Sequence, residues 1–185
     1  MTWRRLIPWG ICLVVVVLVY LWWQGRLERS QDGPIRAAAF RYQVDPALIK
    51  AIVWRESRFN PNAHGRAQEL GLMQLQEDAA REWADAEHLR SFEHESCLDP
   101  HTNTLAGTWY LRKLLRRYAQ TDDPVPYALA DYNAGRGNVL KWLNGPAATN
   151  SVVFIGQIGF PATREYVEAI LKRYARYRRA LRNGG

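Results

Sequence analysis

Cysteine is scarce in this chain. Cys12 and Cys97 are the only two, too few to staple a small disulfide scaffold, so a folded state must rest on apolar burial. Lysine is scarce as well: Lys50, Lys113, Lys141 and Lys172 are the only lysines among 25 basic side chains. Internal repeats and low-complexity tracts are absent, which excludes solenoid and collagen-like architectures. Strand-forming runs are nearly absent too. Residues 152–155 are the only candidate, and one run of four cannot build a sheet. What remains is 185 residues, 48% hydrophobic and 23% charged, enough for one globular domain and not the composition of a disordered chain. A formal charge of +7 favours an anionic partner or surface without naming one.

The apolar residues are unevenly spread. Residues 6–25 carry no charge, and residues 6–23 read LIPWGICLVVVVLVYLWW. As a helix this run would rise about 27 Å, close to the hydrocarbon thickness of a bilayer. Trp3 and Trp9 at one end, and Tyr20, Trp22 and Trp23 at the other, suit interfacial positions, and Arg4 and Arg5 favour a cytoplasmic N-terminus. No small-x-small cleavage site follows the run, and Gly10-Ile11 before Cys12 is a poor lipoprotein signal. The expectation is an uncleaved single-pass anchor in residues 1–25, a polar tether in 26–33, and a domain in 34–185 outside the cytoplasm. Cys12 and Cys97 then lie apart, and no structural disulfide is expected.

Helix signals dominate the remainder. Asp45-Pro46 and Asp99-Pro100 each make an N-cap and N1 pair ahead of apolar periodicity. Further helices are expected in residues 76–84, 126–131, 136–143 and 163–181. The soluble part reads as all-α.

One carboxylate stands out. Leu48, Ile52 and Glu56 are spaced four apart, so Glu56 ends an apolar stripe, where desolvation would raise its pKa and keep a proton available. An ion pair with Arg55 or Arg58 at the end of a core helix is the plainer alternative. Two short segments accompany it: Gly71-Leu72-Met73-Gln74, after a loop, and Tyr132-Asn133-Ala134-Gly135, after a short helix.

The order of these blocks is more informative than any one of them. Val44-Asp45-Pro46, Glu56-Ser57-x-Phe59-Asn60-Pro61-x-Ala63, Gly71-Leu72-Met73-Gln74, Asp99-Pro100-x-x-Asn103, the run from Ala128 through Tyr132-Asn133 to Gly135, and Thr163-Arg164-x-Tyr166-Val167 follow one another. Together they resemble the catalytic domain of lytic transglycosylases of the soluble-lytic-transglycosylase type, glycoside hydrolase family 23. The resemblance covers roughly residues 35–175. It implies a lysozyme-like, goose-type α domain whose groove takes peptidoglycan glycan strands; together with the expected anchor, that makes the expected location the bacterial inner membrane, with the domain in the periplasm. Such enzymes are lyases that cleave the β-1,4 bond between N-acetylmuramic acid and N-acetylglucosamine without water, leaving 1,6-anhydro ends. Glu56 matches the catalytic glutamate, serving as acid and then as base. The substrate's own N-acetyl group stands in for the second carboxylate that most glycosidases need. Met73, Gln74, Tyr132, Asn133 and Tyr166 match substrate-binding or Glu56-orienting positions; for the two tyrosines core packing is the alternative. No cofactor is implied.

The chain departs from the family pattern at four places. Gly65 stands where a serine is common, Gln68-Glu69 where a Gly-Ala pair is, Asp131 where an alanine is, and Ala162 where a glutamate is. Glu69 is a candidate local substitute for the missing polar groups. Two rival functions follow: a muramidase of similar fold that admits water, and a catalytically weak membrane-anchored module that binds peptidoglycan. His88, His94, Cys97 and His101 fit no common zinc spacing, so no metal is expected. Six cations between Lys172 and Arg182 suit a solvated helix end and its dipole better than nucleic acid.

Overall fold

In the computed structural model the backbone of residues 3–183 and the side chains of residues 12–182 are described. Nine α-helices make up the described chain: α1 Trp3–Ser30, α2 Asp32–Tyr42, α3 Pro46–Ser57, α4 Glu77–Ala86, α5 Pro100–Arg117, α6 Pro124–Ala134, α7 Arg136–Trp142, α8 Ser151–Gln157 and α9 Pro161–Asn183. Two 3-10 turns, His94–Leu98 and Gly145–Ala148, interrupt the connections. The pattern agrees with the all-α reading of the soluble part.

Three helices start on the same device. Asp45, Asp99 and Asp123 each accept a hydrogen bond from a backbone N–H of the first turn, and each is followed by proline at N1. The third pair, Asp123-Pro124, begins α6 two residues before the expected start at 126. Residues 152–155, the strand-like run, lie inside α8 instead. Asn150 caps that helix by accepting from the Val153 N–H at 3.0 Å, and the apolar side chains divide between buried Phe154 and exposed Val152.

The expected membrane helix is not supported. Among the described residues, no helix is long and apolar enough to cross a membrane. Past the apolar run, α1 carries Arg26, Glu28 and Arg29. Residues 6–11, with Trp3, Trp9, Arg4 and Arg5, belong to that expectation but fall outside the described side chains. The stretch expected to be a tether is helical, shared between the end of α1 and the start of α2. Cys12 is exposed, Cys97 is buried, and both are free.

The core is built around α3. Ala47, Leu48, Ile49, Ala51, Ile52 and Val53 are all buried, so this helix is apolar around nearly its whole circumference. It packs against α9 and α2, while α5 packs against α2, α4 and α6. The C-terminal cations do more than face solvent. Arg173 stacks 3.9 Å from the Trp54 ring centre and pairs with Glu28 at 3.2 Å, while Arg178 reaches Asp45 at 3.6 Å. They tie α9 to α1 and to the start of α3.

Asn103 on α5 fastens the segment between α3 and α4. Its buried amide accepts from the Met73 N–H at 2.7 Å and donates to the carbonyls of Leu70 and Cys97, both at 2.8 Å. Two glycines make the strap possible. A Cβ at Gly71 (φ +74°) would lie 2.2 Å from the Cys97 carbonyl oxygen, and one at Gly107 would lie 2.5 Å from the Met73 sulfur. Asn103→Ala orphans three buried backbone groups at once. The expected loss is about 3 kcal/mol of unfolding free energy, read from urea denaturation, against about 0.5 kcal/mol or less for the exposed Lys141→Ala.

Candidate active site

Glu56 lies in the last turn of α3, the one acidic side chain on a helix that is mostly buried in the core. Directly after Ser57 the backbone turns through two left-handed residues, Arg58 at φ 53° and Phe59 at φ 65°. Each costs on the order of 1 kcal/mol for a residue with a Cβ. The buried Phe59 ring holds the turn in place, so the chain leaves α3 abruptly and Glu56 is not roofed by a following turn of helix.

Tyr166 on α9 donates its hydroxyl to Glu56 Oε1 at 2.5 Å. Burial pushes the Glu56 carboxyl up from 4.5 to about 7; the Tyr166 hydrogen bond and the Arg55 charge pull it partly back, and the Glu69 carboxylate pushes it further up. The Arg55 guanidinium lies 5.4 Å from the Tyr166 ring centre. Burial also keeps the Tyr132 and Tyr166 hydroxyls protonated, so both serve as donors.

Glu56 opens on a groove of about 830 Å³. One wall is the loop after α3, with Gly65, Arg66, Glu69 and Gln74; the other is the end of α6, with Tyr132, Asn133 and Gly135. Tyr110 on α5 also lines it, its ring 5.6 Å from that of Tyr132.

The residues singled out in the sequence occupy three kinds of position. Glu56, Gln74, Tyr132 and Asn133 line the groove. Gln74 does so from a left-handed backbone (φ 48°), with its amide N–H groups given to the carbonyls of Ala63 at 3.1 Å and Gly71 at 2.9 Å. Asn133 accepts from the Thr163 hydroxyl at 2.8 Å, which links α6 to the start of α9. Tyr166 is buried behind Glu56 and touches it without lining the groove. Met73 is in neither place: its side chain is fully buried against Gly107, and only its backbone serves the site, the carbonyl accepting from the Tyr132 hydroxyl at 2.8 Å. A burial pattern is what would have marked it, since Leu72 and Met73 are both fully buried beside the exposed loop.

Other residues line the groove beside these. Glu69, offered as a substitute for missing polar groups, does line the groove, as does Arg66. Asp131 has its carboxylate occupied by Arg117 at 2.5 Å and Tyr118 at 2.7 Å. His94 is engaged by the Leu75 carbonyl at 2.9 Å, and among the described residues no three His, Cys, Asp or Glu side chains converge as metal ligands would.

The burial of Glu56 has a consequence for stability. Its folded pKa lies above its unfolded one, so the unfolded chain releases that proton first as pH rises. Stability is therefore lost between pH about 4.5 and about 7 on this account. Glu56→Gln keeps the shape and the acceptor for Tyr166 without the charge. It is expected to match wild type near pH 4 and to exceed it by about 2 kcal/mol at pH 8, measured as the difference in urea unfolding free energy.

The Transglycosylase SLT domain profile matches residues 33–154. The soluble lytic murein transglycosylase of Escherichia coli K12 is 32% identical over 174 residues, 92% of this chain and 26% of that protein. Membrane-bound lytic murein transglycosylase C of Klebsiella pneumoniae is 40% identical over 115 residues, 59% of this chain and 32% of that protein. Among solved structures, an inactive glutamate-to-glutamine mutant of the Pseudomonas aeruginosa lytic transglycosylase Slt superimposes with a TM-score of 0.76 at 26% identity, covering 85% of this chain and 25% of that one. The chain thus spans about a quarter to a third of the length of the curated relatives it matches. With the profile covering most of the chain and the fold and motif order in agreement, this protein belongs to the transglycosylase SLT domain family, the lysozyme-like domain of lytic murein transglycosylases.

Proposed function

We propose that the protein is a peptidoglycan lytic transglycosylase that cleaves the β-1,4 bond between N-acetylmuramic acid and N-acetylglucosamine, with Glu56 as its single acid/base. The observation that carries this reading is a carboxyl with a pKa near 7 at the wall of an open groove, hydrogen-bonded to one buried tyrosine. As an acid, Glu56 gives its proton to the bridging oxygen as the N-acetylglucosamine unit departs. As a carboxylate, it then takes the proton of the muramic C6 hydroxyl while that oxygen bonds to C1 of the same sugar. The product carries a 1,6-anhydro ring and no water is added. A pKa close to the working pH suits a group that must do both.

Tyr166 is the positioning partner in this reading, fixing the rotamer of Glu56 and tempering its pKa. Tyr132 and Asn133 supply an aromatic face and an amide to the far wall, and Gln74 shapes the near one. The relatives are named for murein, and one of them is inactive as a glutamate-to-glutamine mutant; both facts support the assignment here. The substrate places the site of action outside the cytoplasm, at the cell wall.

Product analysis tests the reaction. The full chain and Glu56→Gln are incubated with purified peptidoglycan and released muropeptides are weighed by mass spectrometry. Expected are anhydro products about 18 Da lighter than their hydrolysed counterparts, the mass of one water, and a loss of at least about 100-fold in Glu56→Gln. Reducing ends would identify a muramidase instead. Glycan binding without turnover in either protein would identify a binding module.

A second expectation concerns pH. Because Glu56 must enter the reaction protonated, turnover is expected to fall above about pH 7. Tyr166→Phe removes a donor that favours the carboxylate, so the alkaline limb should move to higher pH while kcat drops roughly tenfold from lost positioning. A limb that stays in place would separate Tyr166 from the chemistry.

A further inference from the structure

The loop between α3 and α4 closes on itself around an acidic side chain. The Gly65 N–H donates to the Glu69 carbonyl at 2.7 Å, and Gln68 turns the chain through a left-handed φ of 64°. Glu69 Oε2 then accepts from the Ala67 N–H at 2.9 Å, which folds the carboxylate back over its own loop. It comes to rest in the space where a side chain at position 65 would begin. A Cβ on Gly65 would lie 2.1 Å from Glu69 Oε2 and 2.8 Å from Cδ, with Gln74 Oε1 next at 2.9 Å. The absence of a side chain at 65 and the presence of a long acid at 69 are therefore one feature, and that feature lines the same groove as Glu56.

We propose that Glu69 is a second carboxylate of the reaction centre, a positioning residue that acts through Glu56 and that Gly65 admits. This rests on the transglycosylase reading above. The groups around Glu56 are Tyr166 on α9, Tyr132 on α6, Arg55 beside it on α3, and Arg66 and Glu69 from the loop. The two tyrosines are held neutral, and Arg55 favours an ionised Glu56. Glu69 alone opposes them with like charge, and so helps Glu56 to keep its proton until a substrate oxygen takes it. A carboxylate used only to close the loop would need its acceptor oxygen and not its charge.

The conservative variant separates these roles, because Glu69→Gln keeps an acceptor for the Ala67 N–H and discards the charge. Glu56 is titrated in the full chain by carbon-13 NMR of labelled glutamate, its signal identified by its loss in Glu56→Gln. Expected is a fall in the Glu56 midpoint on the order of half a pH unit in Glu69→Gln. Gly65→Ala, whose Cβ displaces the flexible end of Glu69, should lower the midpoint similarly, and should move it much less in a Glu69→Ala background, where only Gln74 Oε1 at 2.9 Å is left to shift. On peptidoglycan, the alkaline limb of Glu69→Gln should move down by the same interval. An unchanged midpoint in Glu69→Gln overturns the proposal; a shift there with none in Gly65→Ala overturns the part assigned to Gly65. If wild type releases no muropeptide, the transglycosylase reading falls, while the titration still decides whether Glu69 acts on Glu56.

Discussion

Desolvating one carboxyl is the constraint around which this site is arranged. Glu56 ends a helix most of whose side chains are buried in the core, so it is drawn out of water by the packing of its own element. An ionised group there is costly, and the folded chain responds by holding the proton. The Tyr166 hydrogen bond and the Arg55 charge limit that response, and Glu69 reinforces it. Neither extreme would suit the acid/base role proposed for it. A fully buried, unpartnered acid would never release its proton near neutrality, and a fully solvated one would hold too little of it.

The groove depends on backbone more than on side chains. Its loop wall is fastened to α5 by the Asn103 amide, which meets three backbone groups with no polar atom of its own left over. Met73 extends the strap: its N–H goes to Asn103 and its carbonyl to the Tyr132 hydroxyl. One residue thus connects α5, the loop wall and α6, which forms the opposite wall. Its side chain fills the notch left by Gly107, so the connection is seated in the core and the groove is spanned from below. The two left-handed residues after Ser57 belong to the same construction. They cost free energy locally, and the burial of Phe59 and the Asn103 strap offset it.

Much of this was legible in the sequence, and the reasons are local. Asp-Pro pairs mark helix starts because a carboxylate and a pre-set φ act within one turn, and the third pair, Asp123-Pro124, carried the same signal. Glu56 was visible because spacing of four sets an acid on an apolar stripe. Residues 152–155 misled because four apolar residues have no period; only the Asn150 cap and the burial of Phe154 distinguish helix from strand. The polar stretch 26–33 is helical all the same, because a proline at position 34 is tolerated in the first turn of α2. For α1, an uncharged run reads as a span by composition, whereas among the described residues no helix is long and apolar enough to cross a membrane. Met73 shows a different limit: a motif position is chosen for what its backbone does as well as for its side chain, and pattern alone does not say which.

Gly65 and Glu69 carry that last point further. Taken one at a time along the chain, each is a loss: a glycine in place of a hydroxyl, and an acid in a loop. Folded, they are complementary, because the volume one lacks is the volume the other occupies. Whether two departures cancel depends on the loop closing between them, here through the Gly65 N–H and the left-handed Gln68. The substitution also changes the kind of group at the site. A hydroxyl can donate a hydrogen bond to a carboxylate and favour its ionised form, whereas a second carboxylate can only accept and repel. The chain therefore reaches a protonated Glu56 by adding like charge to desolvation, with Arg55 and Tyr166 as the counterweight.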